Sequence, residues 1–331
     1  KDSGGDRSVF GLNAGQLMDC VDQFRRAGYL DCLQLLHYHL GSQIPNIRDV
    51  RTSLTEACRM YVGLIEEGAP MGILDIGGGL GVDYEGGRSR TFCSMNYSVG
   101  QYAQAIVSGL AELCRERDLP APELISESGR ALTAHHAVLV TNVTATEAFP
   151  RRVDAPVAEA AHPVVQHLAA LVDQVSEREP EETFLEAEHW LAEGRNLFLY
   201  GDLPLADRAR LEPLYFAALE RLAERLYPEH RRHRELRDRI RYQLSDKYFI
   251  NLSIFQSLPD IWAIDQVFPI LPLSRLDETP TERAVIEDLT CDSDGRIDHY
   301  VERGLLEATL PVHRIAADED YLLGIFMAGA Y

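Results

Sequence analysis

The sequence feature that most constrains the fold is a glycine-rich stretch that directly follows an apolar run at residues 71–76. Its glycines are Gly77, Gly78, Gly79 and Gly81. Such a pattern is typical of a β-strand that ends in a loop whose backbone approaches a bound anion, because glycine has no Cβ and tolerates positive φ. The spacing excludes a dinucleotide loop, which would need glycine in place of Val82, and a P-loop, which needs Gly-Lys before Ser or Thr. The stretch predicts a phosphate-binding loop or a tight turn without a ligand.

Charge and cysteine usage narrow the class of partner. The 331 residues carry a formal net charge of −20 at pH 7, which disfavours nucleic acid and anionic membranes because long-range repulsion opposes the encounter. The six cysteines show no C-x-x-C pair and no zinc-ligand spacing, as expected for free thiols in a reducing compartment. No apolar run is long enough to span a membrane, and no signal peptide is recognisable. We expect a cytoplasmic protein that binds a small molecule.

The first third of the chain alternates between helical and strand patterns. Amphipathic helices are predicted at 13–27, 47–67 and 97–117, and short apolar strands at 33–40, 71–76 and 124–126. Polar or glycine-rich residues follow each strand, and a (β/α)₈ barrel collects its functional residues at those strand ends. The pattern favours part of a barrel, although periodicity alone also fits a doubly wound open sheet.

The rest of the chain predicts a β-domain interrupted by helices. Strands are predicted at 137–147, 248–255, 284–291 and 321–328, and charged helical patterns at about 156–244. One apolar stripe in the helical part consists of Leu211, Leu214, Tyr215, Ala218, Leu222 and Leu226. The arginine-rich run at 231–241 is interleaved with acidic residues, which favours a solvated helix face over an anion site. The predicted parts are a partial barrel at 1–133, a β-domain at 134–150 and 247–331, and an inserted helical bundle at 151–246.

Several clusters of candidate functional residues lie outside the glycine stretch. They are His39 with Ser42, Glu127 with Gly129 and Arg130, Cys291 with Asp292 and Asp294, and the final Gly329-Ala330-Tyr331. His37 and His39 point to the same face of a strand, which fits a metal pair as well as structural imidazoles. Glu127 and Arg130 also fit an ion pair in a loop. Asp292 and Asp294 also fit turn residues or calcium-like ligands.

Six segments in this order resemble the biosynthetic arginine decarboxylases: LLHYHLGSQ, LDIGGGLGVDY, SESGRALTAHHAVLV, SIFQSLPDIWAIDQVFPILPL, LTCDSDGRIDHY and MAGAY. These are pyridoxal-phosphate enzymes with an alanine-racemase-like barrel and a β-domain, and this subgroup also has a helical insertion. The resemblance runs over nearly the whole chain. It implies that residues 1–133 are the C-terminal part of the cofactor-binding (β/α)₈ barrel.

The resemblance also implies roles for single residues. His39 would stack on the pyridine ring, and Glu127 would bind the pyridine nitrogen and keep it protonated, so that the ring accepts electrons when CO₂ departs. Cys291 would return a proton to Cα. The cofactor would be held further by Ser42, Gly77, Gly78, Gly79, Gly129, Arg130 and Tyr331.

The resemblance places the substrate arginine between two segments. Asp292 and Asp294 would bind its guanidinium end. The glycine stretch would line the substrate site through Leu74, Asp75, Ile76, Gly77, Gly78, Gly79, Leu80, Gly81, Val82, Asp83 and Tyr84. Cys291 and Asp292 would serve the neighbouring subunit, so that a homodimer or a dimer of dimers is expected.

The implied activity is decarboxylation of L-arginine to agmatine and CO₂ in polyamine biosynthesis, with a magnesium requirement whose ligands are unassigned. The cofactor-bearing lysine of the family matches neither Lys1 nor Lys247, the two lysines present. We therefore expect an internal fragment that is inactive alone, with that lysine upstream of Lys1. A decarboxylase of another basic amino acid, a non-catalytic regulatory homologue and a metal-dependent hydrolase that uses His37 and His39 stay open.

Overall fold

Helices and short parallel strands alternate over residues 8–136 in the computed structural model, which describes residues 8–148, 160–226, 231–291 and 294–330. The helices are α1 (Ala14–Ala27), α2 (Ile47–Glu66), α3 (Val99–Arg117) and α4 (Gly129–Thr133). The strands β1 (Leu35–His37), β2 (Ile73–Asp75) and β3 (Glu123–Ile125) pair in parallel in that order. The register places His37 beside Asp75, and Asp75 beside Ile125. The carboxyl ends of the three strands therefore lie side by side.

The first three helices agree with the predicted ranges to within two residues, whereas the strands are shorter than predicted. Asn13 caps α1 and Ser98 caps α3, each in a capping box with a glutamine at the third helical position. The strand predicted at 33–40 ends early, at His37, and residues 38–44 form a loop. In this loop φ is 137° at Gly41 and 55° at Gln43.

A buried core fixes the helices on this sheet. Leu74 of β2 is fully buried among side chains from α2 and α3, which include Val50, Leu54, Tyr61, Ile106 and Leu110. Burial of one side chain of this size contributes roughly 1.5–3 kcal/mol. The core therefore holds the strand ends in a fixed arrangement.

A larger sheet, mostly antiparallel, carries the second half of the chain. In chain order the strands are β4 (Val138–Glu147), β5 (Asp246–Ile250), β6 (Ile270–Pro272), β7 (Glu282–Glu287), β8 (Arg296–Ile297), β9 (Tyr300–Glu302), β10 (Leu305–Glu307), β11 (Leu310–Val312) and β12 (Leu322–Phe326). The sheet order is β11-β7-β5-β4-β12-β6 with β8 on β7, while β9 and β10 form a separate hairpin. Residues Val82, Tyr84 and Cys93 pack into the core of this sheet, which joins it to the end of the glycine stretch.

The predicted strand at 248–255 is wrong in its second half. β5 ends at Ile250, and the chain turns into α9 (Ile254–Ser257) and α10 (Pro259–Ile264). The Ser253 side chain accepts the Gln256 N–H, and Pro259 is the first residue of α10, so both helices begin with favourable residues. The strands predicted at 284–291 and 321–328 are present but end at Glu287 and Phe326.

The helical segment lies between β4 and β5, which pair antiparallel. Its helices are α5 (Pro163–Gln174), α6 (Pro180–Tyr200), α7 (Leu205–Ala223) and α8 (Arg231–Gln243). The predicted apolar stripe, five residues of which lie on α7, is buried in a core of its own. Arg239 of α8 pairs with Glu188 at 3.1 Å, and Arg241 pairs with Glu307 of β10 at 3.4 Å. Two arginines of the run thus pair with acidic residues of other elements. Among the described helices, none combines the length and hydropathy needed to cross a bilayer.

Candidate active site

The carboxyl ends of β1, β2 and β3 bring together five residues, His37, His39, Asp75, Gly78 and Glu127, which we call the strand-end group. Nδ1 of His37 lies 2.8 Å from Oδ2 of Asp75. One potential ligand atom from each of His37, Asp75 and Glu127 lies within 4.8 Å of the other two. The Gly78 N–H donates to Nδ1 of His39 at 3.2 Å. The predicted residues His39, Gly78 and Glu127 therefore meet, and His37 pairs with Asp75 rather than with His39.

Close packing of the chain against itself explains the glycines of the stretch. A Cβ on Gly79 would lie 2.6 Å from the carbonyl oxygen of Gly41, and one on Gly78 would lie 2.9 Å from that of Glu127. Gly77 and Gly79 also have positive φ, of 63° and 98°. The glycines thus allow three strand-end loops to touch one another. The loops need these glycines whether or not an anion is bound. The glycine pattern therefore does not by itself decide between a phosphate-binding loop and a tight turn without a ligand.

Asp75 fixes the strand-end group through its backbone and its side chain. Its Oδ1 accepts the Gly77 N–H at 2.9 Å, and its carbonyl accepts the Tyr38 N–H at 3.1 Å. The Gly77 carbonyl in turn accepts the Glu127 N–H at 2.8 Å. Since both carboxylate oxygens of Asp75 accept hydrogen bonds within the protein, this side chain orders the loops rather than facing solvent.

Most of the glycine stretch cannot contact a substrate in this structure, which corrects the prediction for its buried members. Leu74, Ile76, Leu80, Val82 and Tyr84 are all at most 6% exposed, because their side chains fill the cores on either side of the stretch. Gly78, Gly79 and Asp83 are partly exposed. Asp83 is engaged by the N–H groups of Gly86 and Arg88.

Two polar side chains that the sequence reasoning missed join the His39 loop to the glycine stretch. The Gln43 carboxamide accepts the Val82 N–H at 2.9 Å and donates to the Val82 carbonyl at 2.6 Å. The Tyr97 hydroxyl accepts the Gly81 N–H at 3.1 Å and donates to the Ile44 carbonyl at 2.8 Å. Burial raises the pKa of Tyr97, so the hydroxyl keeps its proton. The sequence signal that could have pointed to Gln43 is its position directly after Ser42, a predicted site residue.

Arg130 lies at the start of α4, three residues after Glu127 of the strand-end group. It is 9% exposed, and its Nη1 donates to the Tyr84 hydroxyl at 3.0 Å. Burial raises the pKa of Tyr84, whose ring also packs edge-on against Phe268. The guanidinium is thus held between the first sheet and the second. A Cβ on Gly129 would meet no atom within 4 Å. Ser42 is exposed in the loop after β1.

The last described residues pack against α4. The Gly329 N–H donates to the Ala134 carbonyl at 3.1 Å, and a Cβ at Gly329 would overlap the Thr133 carbonyl and the His136 ring. Gly329 is therefore required by a close approach to the helix that carries Arg130. Tyr331 lies outside the described residues.

The loop that follows β7 forms a second, separate region, which we call the Cys291 loop (residues 288–295). Cys291 is an exposed free thiol, and Asp292 lies outside the described residues. Asp294 lines a pocket of about 250 Å³ together with Trp262, Asp265, Arg296 and His299. In the described part of the chain, the lining of this pocket includes no member of the strand-end group. The structure therefore brings the predicted residues together in two places, not one.

Asp288, which the sequence reasoning also missed, anchors the Cys291 loop. It is 4% exposed and accepts the Ile254 N–H at 2.7 Å and the Thr290 N–H at 2.8 Å. Burial alone would raise its pKa, but these hydrogen bonds outweigh burial and lower it. A Cβ at Gly295 would overlap the Asp288 carboxylate. The loop and the start of α9 are thus tied to one buried carboxylate.

Comparison with known proteins finds similarity to decarboxylases along the chain. The profile of the pyridoxal-dependent decarboxylase pyridoxal binding domain matches residues 1–134, and that of the arginine decarboxylase helical bundle domain matches residues 158–241. The whole chain is 53% identical to the biosynthetic arginine decarboxylase of Alkalilimnicola ehrlichii and 49% identical to that of Marinobacter nauticus. Along its whole length the chain is therefore similar to biosynthetic arginine decarboxylases. It spans about half, 53%, of the length of each of these relatives.

Solved structures of the same fold support this similarity. The biosynthetic arginine decarboxylase of Campylobacter jejuni superposes with a TM-score of 0.75 at 30% identity, over 97% of this chain and 52% of that one. A lysine/ornithine decarboxylase of Vibrio vulnificus shares the fold alone, with a TM-score of 0.55 at 16% identity, over 99% of this chain and 57% of that one. The fold class is therefore a partial barrel with a β-domain and a helical bundle, and the open-sheet alternative is excluded.

The donor set of the strand-end group, taken together with the neighbouring Arg130, fits pyridoxal phosphate. An exposed imidazole, an exposed carboxylate and a buried guanidinium suit the face of an aromatic ring, a ring nitrogen and a phosphate, respectively. The same group does not fit magnesium, which prefers oxygen ligands in near-ideal octahedral geometry. His37 would offer nitrogen, and both oxygens of Asp75 already accept hydrogen bonds.

Proposed function

We propose that the intact protein containing this chain is a pyridoxal-phosphate-dependent decarboxylase that converts L-arginine to agmatine and CO₂. The observation that carries the proposal is the meeting of His39, Gly78 and Glu127 at three adjacent strand ends, in a chain similar to arginine decarboxylases along its whole length. Pyridoxal phosphate, when bound, supplies a ring that accepts the electron pair left by departing CO₂.

Within this proposal each side chain has one task. His39 packs on the face of the ring, and its Nδ1 is occupied by the Gly78 N–H, which fixes the orientation of the imidazole. Glu127 binds the ring nitrogen and holds a proton there. Arg130 offers its guanidinium to the phosphate, with Ser42, Gly79, Gly129 and Tyr331 completing that contact. The predicted contact of Gly77 is not part of this proposal, because this residue is buried and its N–H and carbonyl are already hydrogen-bonded to Asp75 and Glu127.

The Cys291 loop acts on the substrate in this proposal. Cys291 delivers a proton to Cα, while Asp292 and Asp294 attract the guanidinium end of arginine. Because the pocket lined by Asp294 includes no described member of the strand-end group, we infer that two subunits share each active site, in a homodimer or a dimer of dimers. We also propose a cytoplasmic protein and the three predicted parts, at 1–133, at 134–150 with 247–331, and at 151–246.

Lys247 is a poor candidate for the cofactor-bearing lysine. It pairs in register with Glu147 at the end of β4, at 3.9 Å. Glu147 is nine residues from Val138, where β4 begins next to α4. That is roughly 30 Å of extended chain. Lys247 therefore lies at the opposite end of β4 from Arg130.

The test measures cofactor and substrate separately on the intact protein. We expect pyridoxal phosphate to bind with a visible absorbance band that borohydride reduction fixes onto a lysine, and labelled arginine to release CO₂. Ornithine and lysine as competing substrates test the choice of amino acid, and a chelator tests the magnesium requirement that the resemblance implies. A protein that binds no pyridoxal phosphate, or binds it and releases CO₂ from no basic amino acid, would overturn the proposal.

A further inference from the structure

Gln43 joins the loop after β1 to two other segments through its side chain. Its carboxamide oxygen accepts the Val82 N–H at 2.9 Å, and its nitrogen donates to the Val82 carbonyl at 2.6 Å and to the Ser94 carbonyl at 3.4 Å. A backbone N–H only donates and a carbonyl only accepts, so one orientation of the carboxamide satisfies all three contacts. The side chain therefore links this loop to the glycine stretch and to the segment before α3.

The backbone at Gln43 is in a conformation that its residue type disfavours. Its φ of 55° lies in the left-handed region, which residues with a Cβ rarely occupy. Gly41 also has a positive φ, of 137°, so Ser42 lies between two positive-φ residues. The Ile44 N–H then donates to the Gly79 carbonyl at 3.0 Å. Such a turn persists only where the surrounding contacts impose it, and residues of this kind concentrate at ligand sites.

The turn at residues 41–44 brings together two parts of the proposed phosphate contact. Ser42 is exposed on the turn, and Gly79 lies on the glycine stretch. The Gly41 carbonyl approaches Gly79 so closely that a Cβ there would lie 2.6 Å from its oxygen. The separation of Ser42 from Gly79 is therefore fixed as long as the turn stays docked. Gln43 docks it through its carboxamide.

We propose that Gln43 is a positioning residue that holds Ser42 at a fixed separation from the glycine stretch, so that the phosphate of the cofactor meets two loops already in place. This inference rests on the proposed function and deepens it. The carboxamide is engaged by Val82 and Ser94, so its effect reaches the cofactor through Ser42. A site ordered in advance spares the ligand the cost of ordering it on binding.

The test compares pyridoxal phosphate with pyridoxal, which lacks the phosphate, as ligands of the intact protein freed of cofactor. Gln43→Gly removes the carboxamide, while glycine adopts a φ of 55° without strain. We expect about 10-fold weaker binding of pyridoxal phosphate, as for the loss of buried hydrogen bonds, and an unchanged affinity for pyridoxal. Gln43→Glu keeps an acceptor for the Val82 N–H, but an ionised carboxylate donates to neither carbonyl, so the same selective loss is expected.

Two further variants complete the design. In a Ser42→Ala background the loss caused by Gln43→Gly should shrink, because the group that Gln43 positions is already gone. Asp118→Gly is the matched control. Asp118 is an exposed residue with a φ of 52° at the C-terminal end of α3, so glycine makes the same kind of change away from the strand ends. This control should keep both parental affinities.

Three outcomes would overturn the inference. They are equal losses of affinity for pyridoxal phosphate and pyridoxal in Gln43→Gly, lower thermal stability with both affinities unchanged, and a loss that adds in full to that of Ser42→Ala. Each would make Gln43 a structural residue only. A parent protein that binds no pyridoxal phosphate would contradict the proposed function itself, whereas a parent that binds it and is unaffected by Gln43→Gly contradicts this inference alone.

Discussion

The strand-end group and the Cys291 loop are held in place by opposite means. The strand-end group takes residues from three loops and locks them by backbone hydrogen bonds and by glycines that permit close approach. The Cys291 loop is one segment between the paired strands β7 and β8. Its two ends are joined by the hydrogen bond from the Asp288 N–H to the Gly295 carbonyl, and the buried Asp288 carboxylate anchors it to α9. The first region is therefore fixed by many small contacts and the second by a few strong ones.

This difference indicates which region tolerates change. The loss of one contact in the strand-end group leaves the others to hold its backbone, so a change there should act mainly on chemistry. A change at Asp288 removes the common partner of several donors at once, so it should act on stability and on the loop together. The following predictions compare the two regions.

The largest effect is expected at Glu127. Glu127→Gln in the intact protein should lower the rate of arginine decarboxylation by roughly 100-fold, as for other preorganised charges that act on the reacting group. Stability should change little, because the Glu127 side chain is exposed. Glu123→Gln, at the opposite end of β3, is the matched control and should keep the parental rate. Equal loss of rate in both variants would remove Glu127 from the site.

A smaller effect on both stability and chemistry is expected at Gly78. Gly78→Ala places a Cβ 2.9 Å from the Glu127 carbonyl oxygen, so one strand end must move. We expect a destabilisation of about 1–3 kcal/mol, together with weaker binding of pyridoxal phosphate. Gly72→Ala is the control at the other end of the same strand, where a Cβ meets nothing within 4 Å. Denaturation curves and cofactor titrations of the two variants make the comparison.

The Cys291 loop should respond chiefly in stability. Asp288→Ala leaves the Ile254 and Thr290 N–H groups without their acceptor, at a cost of about 2 kcal/mol. The Cys291 thiol should then react faster with an alkylating reagent, because its loop is released. Asp277→Asn, a change at an exposed aspartate, should alter neither property. Unchanged alkylation in Asp288→Ala would show that the backbone hydrogen bond from Asp288 to Gly295 and the β7–β8 pairing hold the loop without the carboxylate.

The pH dependence at Asp288 follows from the direction of its shift. Its folded pKa is lowered, so the carboxylate adds stability above the unfolded pKa of about 4 and loses it as the pH falls through the folded pKa. The stability difference between the parent and Asp288→Asn should therefore shrink below about pH 4. A difference that stays constant down to pH 2 would contradict the lowered pKa.

Much of the fold could be predicted from the sequence, because caps and periodicity are local signals. The capping boxes at Asn13 and Ser98 and the positive φ of Gly28 mark helix ends that the pattern also indicates. The second half of the strand predicted at 248–255 is wrong because its apolar residues also suit a buried helix, and Ser253 and Asp288 favour the helix. Asp288 is 34 positions from Ile254 and gives no local signal.

The sequence named candidate residues for the site but not the contacts between them. His39 and Glu127 could be named because the segments around them resemble a family. The roles of Asp75, Gln43 and Tyr97 depend on which loops touch, and contacts between loops leave no periodic pattern in a single sequence. The glycines were attributed to an anion, whereas the closest atoms that forbid a side chain belong to neighbouring loops.

The pairing of β4 with β5 has a consequence for how such a chain is put together. Glu147 and Lys247 sit opposite each other, so the chain leaves the sheet and returns to it at neighbouring points. A segment whose two ends meet can be lengthened, shortened or replaced at little entropic cost to the rest of the molecule. With a hydrophobic core of its own, the helical bundle is a module that could have been acquired without disturbing either the strand-end group or the Cys291 loop.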